Sequence, residues 1–453
     1  MVKTDLIIIG SGPGGYRSAC YAAARGLSVT VFESAEAGGT CLNCGCIPTK
    51  SLCRNAEVID TLRDASALGL ESLSYNLDFG KIMERKNSVV AQLRNGVETL
   101  MRTPGITFVN KKAKLTSGHT VVTDEEEYTA GDIIIATGSH AKIPPIKGAQ
   151  LQGVVTSTEL LDIPSVPKRL CIVGAGVIGM EFASVFSSFG SEVTVVEFMK
   201  EALPTLDSDI AKRLRQTIGK RGVTFHMQTA VKEIEEKTDS CGARVLNVIT
   251  DKKGKTLEVE ADTVLIATGR SANTGGLGLE EAGIEYDSKG IHTDDNFATN
   301  VPHIYAIGDV NGKCMLAHAA TFQGIHVVNH ILGTPDGIRP DIMPSAIFTN
   351  PEAASVGLSE DRCKELGLEY TCKKGFFRSN GKALAMNETD GMVKLISDSD
   401  GRIIGCHMFG AHASDMVQEI TALMNAGVTT SRLAEIIHIH PTLSEILCDM
   451  CIG

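Results

Sequence analysis

Three thiols fall within Gly38-Gly39-Thr40-Cys41-Leu42-Asn43-Cys44-Gly45-Cys46-Ile47-Pro48-Thr49-Lys50. A dithiol/disulfide couple carries two electrons, so Cys41 and Cys46 beside a cofactor that moves electrons in pairs would outline a redox site. The pair lies where a loop enters an apolar and basic stretch, 47–54, whose pattern predicts a helix. A helix N-terminus lowers a thiol pKa and so favours the reactive thiolate, and Pro48 suits a first helical turn. Two buried structural cysteines would show the same spacing, which alone does not choose between the readings. Cys44 adds a third thiol. No His or further Cys pair with ligand spacing lies near it, so no metal is expected.

A working dithiol also needs a group to take a proton from an attacking thiol. Imidazole does this at neutral pH. His440 is the candidate, followed by Pro441 and then by Glu445, a carboxylate able to orient the ring and hold an imidazolium. A lone histidine is more often structural; Pro441 and the downstream acid weigh against that reading. His438 and His318 read as structural or orienting groups. The long separation from Cys46 leaves open whether His440 serves its own subunit.

The elements that must position these groups form a repeat. Residues 5–10 read as a buried parallel strand, followed by Gly10-Ser11-Gly12-Pro13-Gly14-Gly15, a small-residue helix over 17–25, and a strand over 27–32 ending at Glu33. Gly10 permits the tight turn, Gly12 lets backbone approach a pyrophosphate, and Gly15 lets helix and strand pack closely. The helix N-terminus offers N–H groups to phosphate, and Glu33 can accept from ribose hydroxyls. The pattern returns as a strand over 170–173, then Gly174-Ala175-Gly176-Val177-Ile178-Gly179, a helix to Phe189, and a strand over 192–196 ending at Glu197. Each acid stands 23 residues after its first glycine. One such glycine pattern is weak; two with strand, helix and terminal acid are specific. Ile-Ile-Ile-Ala-Thr-Gly138 and Val-Leu-Ile-Ala-Thr-Gly269, the latter followed by Arg270, extend the duplication, so two nucleotides are expected. Glu197 would bond a free 2′-hydroxyl and repel a 2′-phosphate, and no arginine follows closely, although Lys200 does; NAD is therefore expected over NADP.

With these residues in place the chain resembles the class I pyridine nucleotide–disulfide oxidoreductases over essentially its whole length. The marks are Gly39 to Lys50, Gly308-Asp309, Met315-Leu316-Ala317-His318, Asn387 to Gly391, and His438-Ile439-His440-Pro441-Thr442-Leu443-Ser444-Glu445. The Met-Leu-Ala-His and His-x-His-Pro-Thr-Leu-Ser-Glu runs are similar to the lipoamide branch rather than the glutathione branch. The resemblance implies FAD at the first site, lined by Gly10, Gly12, Gly15, Glu33, Gly39, Thr40, Lys50, Ala113, Gly138, Asp309 and Ala317, with Lys50 paired to Glu181 near the flavin. It implies NAD at the second, contacted by Gly174, Gly176, Gly179, Glu197, Val231, Gly269 and Arg270. It further implies a redox disulfide between Cys41, the interchange thiol, and Cys46, nearer the flavin. Protein-bound dihydrolipoamide would be oxidised and hydride passed to NAD⁺. His440 would come from the partner subunit of a homodimer, and the lipoyl arm from an acyltransferase or H-protein of a 2-oxoacid dehydrogenase or glycine cleavage complex.

The implied fold class is α/β: two Rossmann-like dinucleotide-binding domains plus a C-terminal α+β dimerisation domain. The expected boundaries are 1–145 for FAD, 146–267 for NAD, 268–340 for a central segment completing the FAD fold, and 341–453 for the interface domain. Strands are predicted over 392–397 and 403–408 and a helix over 413–426. The net charge of −11 speaks against nucleic acid or an anionic membrane as partner, and no apolar run approaches the ~18 residues of a membrane span. Thirteen cysteines, an odd number, fit free thiols in a reducing cytoplasm. Neither a secretory nor a transit-like leader is read at the N-terminus, and no lipoyl domain precedes Met1. The terminal pair Cys448/Cys451 is similar to the tails of mercuric reductase and large thioredoxin reductases; ordinary helix cysteines are the plainer reading. Two other functions stay open: a reductase of another disulfide or of a metal ion, and a non-catalytic nucleotide-binding scaffold.

Overall fold

The computed structural model describes residues 1–240 and 242–452. The chain folds as two compact units, one of residues 1–51, 83–142 and 269–340, the other of 52–82, 143–268 and 341–453.

The first unit is built on a seven-stranded sheet. Its centre is the strand Val2–Ile9, with Val29–Phe32 parallel on one side and Glu127–Ile135 parallel on the other. Ile106–Val109 extends one edge, and Ile304–Ala306 pairs with the C-terminal end of Glu127–Ile135. Successive side chains of a strand point to opposite faces. Leu6 and Ile8 accordingly enter one core while Ile7 and Ile9 enter another. Burial on both faces is why this strand is an unbroken apolar run. The helix Pro13–Ala23 crosses between the first two strands and packs on the helix Ala317–Ile331. Their approach needs glycine, because a Cβ on Gly324 would land on Ser18 Oγ.

The second unit holds a parallel sheet in the order Thr224–His226, Glu192–Val196, Arg169–Val173, Thr263–Ile266, Val154–Val155. The helix Val177–Ser188 makes the crossover after Arg169–Val173. Three antiparallel strands, Ala230–Thr238, Arg244–Lys252 and Lys255–Ala261, form a second sheet. A third is antiparallel in the order Ser345–Ile347, Glu352–Gly357, Ile403–Gly410, Met392–Ser397, Thr371–Phe376. The helix Ala413–Asn425 covers it, placing Met416, Val417 and Ile420 in one core with Val356, Leu395 and Met408. The strands and helix expected over 392–426 are thus present, with ends shifted by at most two residues.

One strand residue of this sheet is a buried charge. Lys394 is 2% exposed and its Nζ lies 2.7 Å from both oxygens of Asp207, itself fully buried, and 2.7 Å from Glu360 Oε2. The Asp207 amide donates to His407 Nδ1 at 3.2 Å, and Asp207 Oδ1 caps the helix Ser208–Lys220. Lys394 lowers Glu360 to about 2, whereas burial lowers His407 to about 4.

Candidate active site

The two glycine turns repeat almost to the degree. Gly10 and Gly174 both take φ +106°, a conformation that favours glycine, and a Cβ on either would strike the carbonyl oxygen of Ala136 or Ala267. A Cβ on Gly15 or Gly179 would fall on the carbonyl oxygen of Gly10 or Gly174. The helices that follow start at N-caps Gly12 and Gly176, with no side-chain cap and no acid in the first turn. Their first amides are left for an anion.

Each terminal acid binds its own turn. Glu33 accepts from the Ser11 amide (2.9 Å) and hydroxyl (2.7 Å), and from the amides of Ser34 (2.9 Å) and Ala35 (3.0 Å). Glu197 accepts from the amides of Ala175 and Met199, both at 2.6 Å. Space is open beside the turns: a Cβ would meet nothing within 4 Å at Gly138, Gly176 or Gly269.

The dithiol is attached directly to the first turn. The expected loop at 39–46 is instead a short helix, Gly39–Cys44, followed by the helix Cys46–Arg63. Tertiary bonds hold it. Asn43 Nδ2 donates to the carbonyls of Ala37 and Gly39 at 3.0 Å, and Asn43 Oδ1 accepts from Arg94 Nε at 2.8 Å. Gly38 donates to the Ser11 carbonyl at 3.1 Å, and a Cβ on Gly39 would lie 2.7 Å from Gly12 Cα. Backbone therefore meets backbone between the nucleotide turn and the helix bearing Cys41. The Cys41 and Cys46 side chains are in hydrogen-bond contact, with no disulfide between them. That contact is the largest cause of an upward shift at Cys41, with burial next; Lys50 opposes it. The contact and the burial both favour keeping the proton on Cys41.

Asp309 follows Gly308 in the same unit, in a turn fixed by buried Gln323, whose Oε1 accepts from the Gly308 amide (2.7 Å) and Asn311 Nδ2 (3.1 Å). Ala317 begins the helix Ala317–Ile331, again without a side-chain cap. Thr40 is half-buried, and Ala113 is packed in the core with Phe32 and Leu115. Arg270, expected with the second nucleotide, lies in the first unit and bonds Ser139. Ser139, Gln323 and Asn43 carried no sequence signal of their own.

In the second unit, Glu181 is buried and Oε1 accepts from the Phe348 amide at 3.0 Å; Val231 is half-buried at a bulge. His440 Nδ1 lies 2.8 Å from Glu445 Oε1, and Glu445 Oε2 accepts from the Thr442 amide at 2.7 Å. Those two bonds, Thr442 first, lower the Glu445 carboxyl. An ionised carboxylate only accepts, so Nδ1 carries the hydrogen and Nε2 is left as the base atom. The His440 side chain is 80% exposed. His438 faces inward onto Glu419 at 2.8 Å, an orienting position. Cys448 is buried, its Sγ 3.8 and 3.7 Å from the carbonyls of Ala434 and Ile436.

Residues 4–324 match the family described as pyridine nucleotide-disulphide oxidoreductase, and residues 343–451 match its dimerisation domain. A dihydrolipoyl dehydrogenase of Bacillus subtilis is 39% identical over 99% of this chain and 96% of its own. One of Chlamydia muridarum is 38% identical over 98% and 95%. A solved structure, a Cu(II) complex of the HOCl-induced flavoprotein disulfide reductase RclA from Escherichia coli, superposes with TM-score 0.86 at 30% identity, covering 98% of this chain and 99% of that one. This chain belongs to the pyridine nucleotide–disulphide oxidoreductases and is a flavoprotein oxidoreductase working with FAD and NAD. The uncapped helix starts, the open space beside Gly138, Gly176 and Gly269, and the two acids fit dinucleotides at both turns.

Proposed function

We propose that this pyridine nucleotide–disulphide oxidoreductase is a dihydrolipoyl dehydrogenase that oxidises protein-bound dihydrolipoamide with NAD⁺ as final acceptor. The observation that carries the reading is the Cys41/Cys46 contact on a helix pressed against the first nucleotide turn. The lipoyl substrate comes from the relatives' printed names.

When bound, FAD would supply the acceptor for the electron pair and NAD⁺ the final two-electron acceptor. The chain's own residues handle the sulfur chemistry. His440 Nε2 takes the proton of one substrate thiol. The thiolate attacks Cys41 Sγ in the oxidised pair, the Cys41–Cys46 bond breaks, and Cys46 leaves as thiolate. The second substrate thiol then closes the lipoyl disulfide, and its proton goes to Cys41 as that sulfur departs. The pair ends two electrons richer, with one proton on Cys41 and one on His440. The acceptor geometry at Cys46, which keeps the Cys41 proton in place, matches that end state.

Ile437 and Ile439, in the segment leading into His440, are 97% and 79% exposed. A second copy seated on this segment would bury both and receive the imidazole, which supports a homodimer with His440 acting across subunits. The segments 1–145, 146–267, 268–340 and 341–453 take the FAD, NAD, central and interface roles. Among the described residues no helix is long and apolar enough to cross a membrane, and the proposed setting is the cytoplasm. The lipoyl arm is supplied by an acyltransferase or H-protein.

A reductase of another disulfide or of a metal ion is the second reading, favoured by the name of the structural neighbour. Rates with lipoamide, oxidised glutathione, thioredoxin and Hg²⁺, each with NADH and NADPH, separate the two. Lipoamide with NADH is expected to be fastest; turnover confined to the others overturns the proposal. Cys46→Ser is expected to abolish dihydrolipoamide-driven NAD⁺ reduction while NADH still bleaches the flavin.

A further inference from the structure

Two short strands, Ser139–Ala141 and Arg270–Ala272, pair antiparallel within the first unit. Further bonds close the pairing at both ends. The Lys142 amide donates to the Gly269 carbonyl at 3.0 Å, and the Asn273 amide to the Gly138 carbonyl at 2.9 Å. Asn273 Nδ2 also donates to the Thr137 carbonyl at 2.8 Å, and Thr137 Oγ1 to the Asn273 carbonyl at 2.8 Å. Arg270 is thereby held in register opposite Ser139, with its side chain largely buried.

The hydrogen bonds that follow have a direction. Arg270 Nε donates to Ser139 Oγ at 2.7 Å, and Nη2 donates to the Ser139 carbonyl at 2.7 Å. A guanidinium has donors only, so Ser139 Oγ accepts there and must aim its single hydrogen elsewhere. It aims at Asp309 Oδ2, 2.5 Å away. Arg270 Nε itself lies 3.9 Å from that oxygen. The Asp309 carboxylate is thus fixed through one oxygen, and Oδ1 is left to accept from a ligand.

We infer that Arg270 and Ser139 are positioning residues for FAD, acting through Asp309, and that Arg270 is not a ligand of the second nucleotide. The inference rests on the reading that Asp309 holds FAD. Without Arg270 the Ser139 hydroxyl can rotate, and without Ser139 the carboxylate loses its fixed donor. Either loss lets Asp309 swing, so its free oxygen would meet bound FAD in the right place only part of the time. The planar fork also matters: lysine in place of Arg270 offers one nitrogen on a flexible stem where the guanidinium offers two held in a plane.

The test is FAD affinity of the full-length protein, read as flavin fluorescence released on dilution of the holoprotein, with KM for NAD⁺ measured alongside. Ser139→Ala and Arg270→Gln are each expected to weaken FAD about 10-fold and to leave KM for NAD⁺ within twofold. Ser139→Thr, which keeps the hydroxyl, is expected to restore retention. In an Asp309→Ala background, Arg270→Gln is expected to add nothing; a merely structural arginine would still cost affinity there. FAD held as tightly by Ser139→Ala and Arg270→Gln as by the parent, or a rise in KM for NAD⁺ with FAD retained, overturns the inference. If Asp309→Ala itself leaves FAD affinity unchanged, the reading of Asp309 as an FAD ligand falls, and this inference with it.

Discussion

Acid should loosen the second unit through one buried side chain, His407. Burial lowers His407 from 6.5 to about 4, with Asp207 partly opposing and Lys394 assisting. Between those two values the unfolded chain binds a proton that the folded chain does not. Stability therefore falls as pH drops from 6.5 to 4, by up to about 1.4 kcal/mol per pH unit and about 3 kcal/mol in all. Asn can take over the structural part of the role, because its amide oxygen can accept the Asp207 amide as Nδ1 does at 3.2 Å. It cannot titrate. His407→Asn should leave stability at pH 7.5 little changed and flatten the acid limb by close to one proton. The chain has no tryptophan, so unfolding is best followed by far-UV circular dichroism, as urea midpoints of parent and variant from pH 4.5 to 7.5. Other titrating groups act on both proteins and cancel in the difference. Parallel curves below pH 6.5 would refute the assignment, because the proton taken up would then belong elsewhere.

Lys394→Met leaves Asp207 buried without its counter-charge and should cost about 3–5 kcal/mol, seen as a lower urea midpoint at neutral pH. Glu445→Ala removes the acceptor from both His440 and Thr442, and kcat with dihydrolipoamide and NAD⁺ should fall about 10- to 100-fold while NADH oxidation by ferricyanide persists. Glu445→Gln offers one amide oxygen to those two donors and should fall in between; loss of both activities together would indicate damage to the fold. Gly39→Ala sets a Cβ 2.7 Å from Gly12 Cα at φ +62°, and the purified protein should carry clearly less flavin per chain.

The nucleotide turns were legible because sterics forced the spelling. No side chain fits at Gly10, Gly15, Gly174 or Gly179, and strands buried on both faces must be apolar throughout. The dithiol helix was not legible. A Gly-rich, Cys-rich run has no helical signal of its own, and Gly39–Cys44 is held by Asn43 and by Arg94, 51 residues further on. Arg270 reads with the second nucleotide because it follows Ala-Thr-Gly; its register opposite 139–141 and its bond to Ser139, across 131 residues, leave no local trace. Lys394 misleads in the same way. A lysine in a strand suggests a solvent face, while its partner Asp207 lies 187 residues away.

The two acids also differ in a way that bears on how each nucleotide arrives. A carboxylate has about four lone-pair positions. At Glu197 two are taken, by Ala175 and Met199, so an incoming ribose finds vacancies. At Glu33 four donors already fill the complement, and three of them are backbone amides that cannot turn away. Only the Ser11 hydroxyl can rotate aside, and at the matching place in the second turn stands Ala175, which has none. Entry at the first site is therefore an exchange of one hydroxyl for another, and departure lets Ser11 swing back to close the gap. The second site has no such stopper, which suits a nucleotide that must come and go with every turnover.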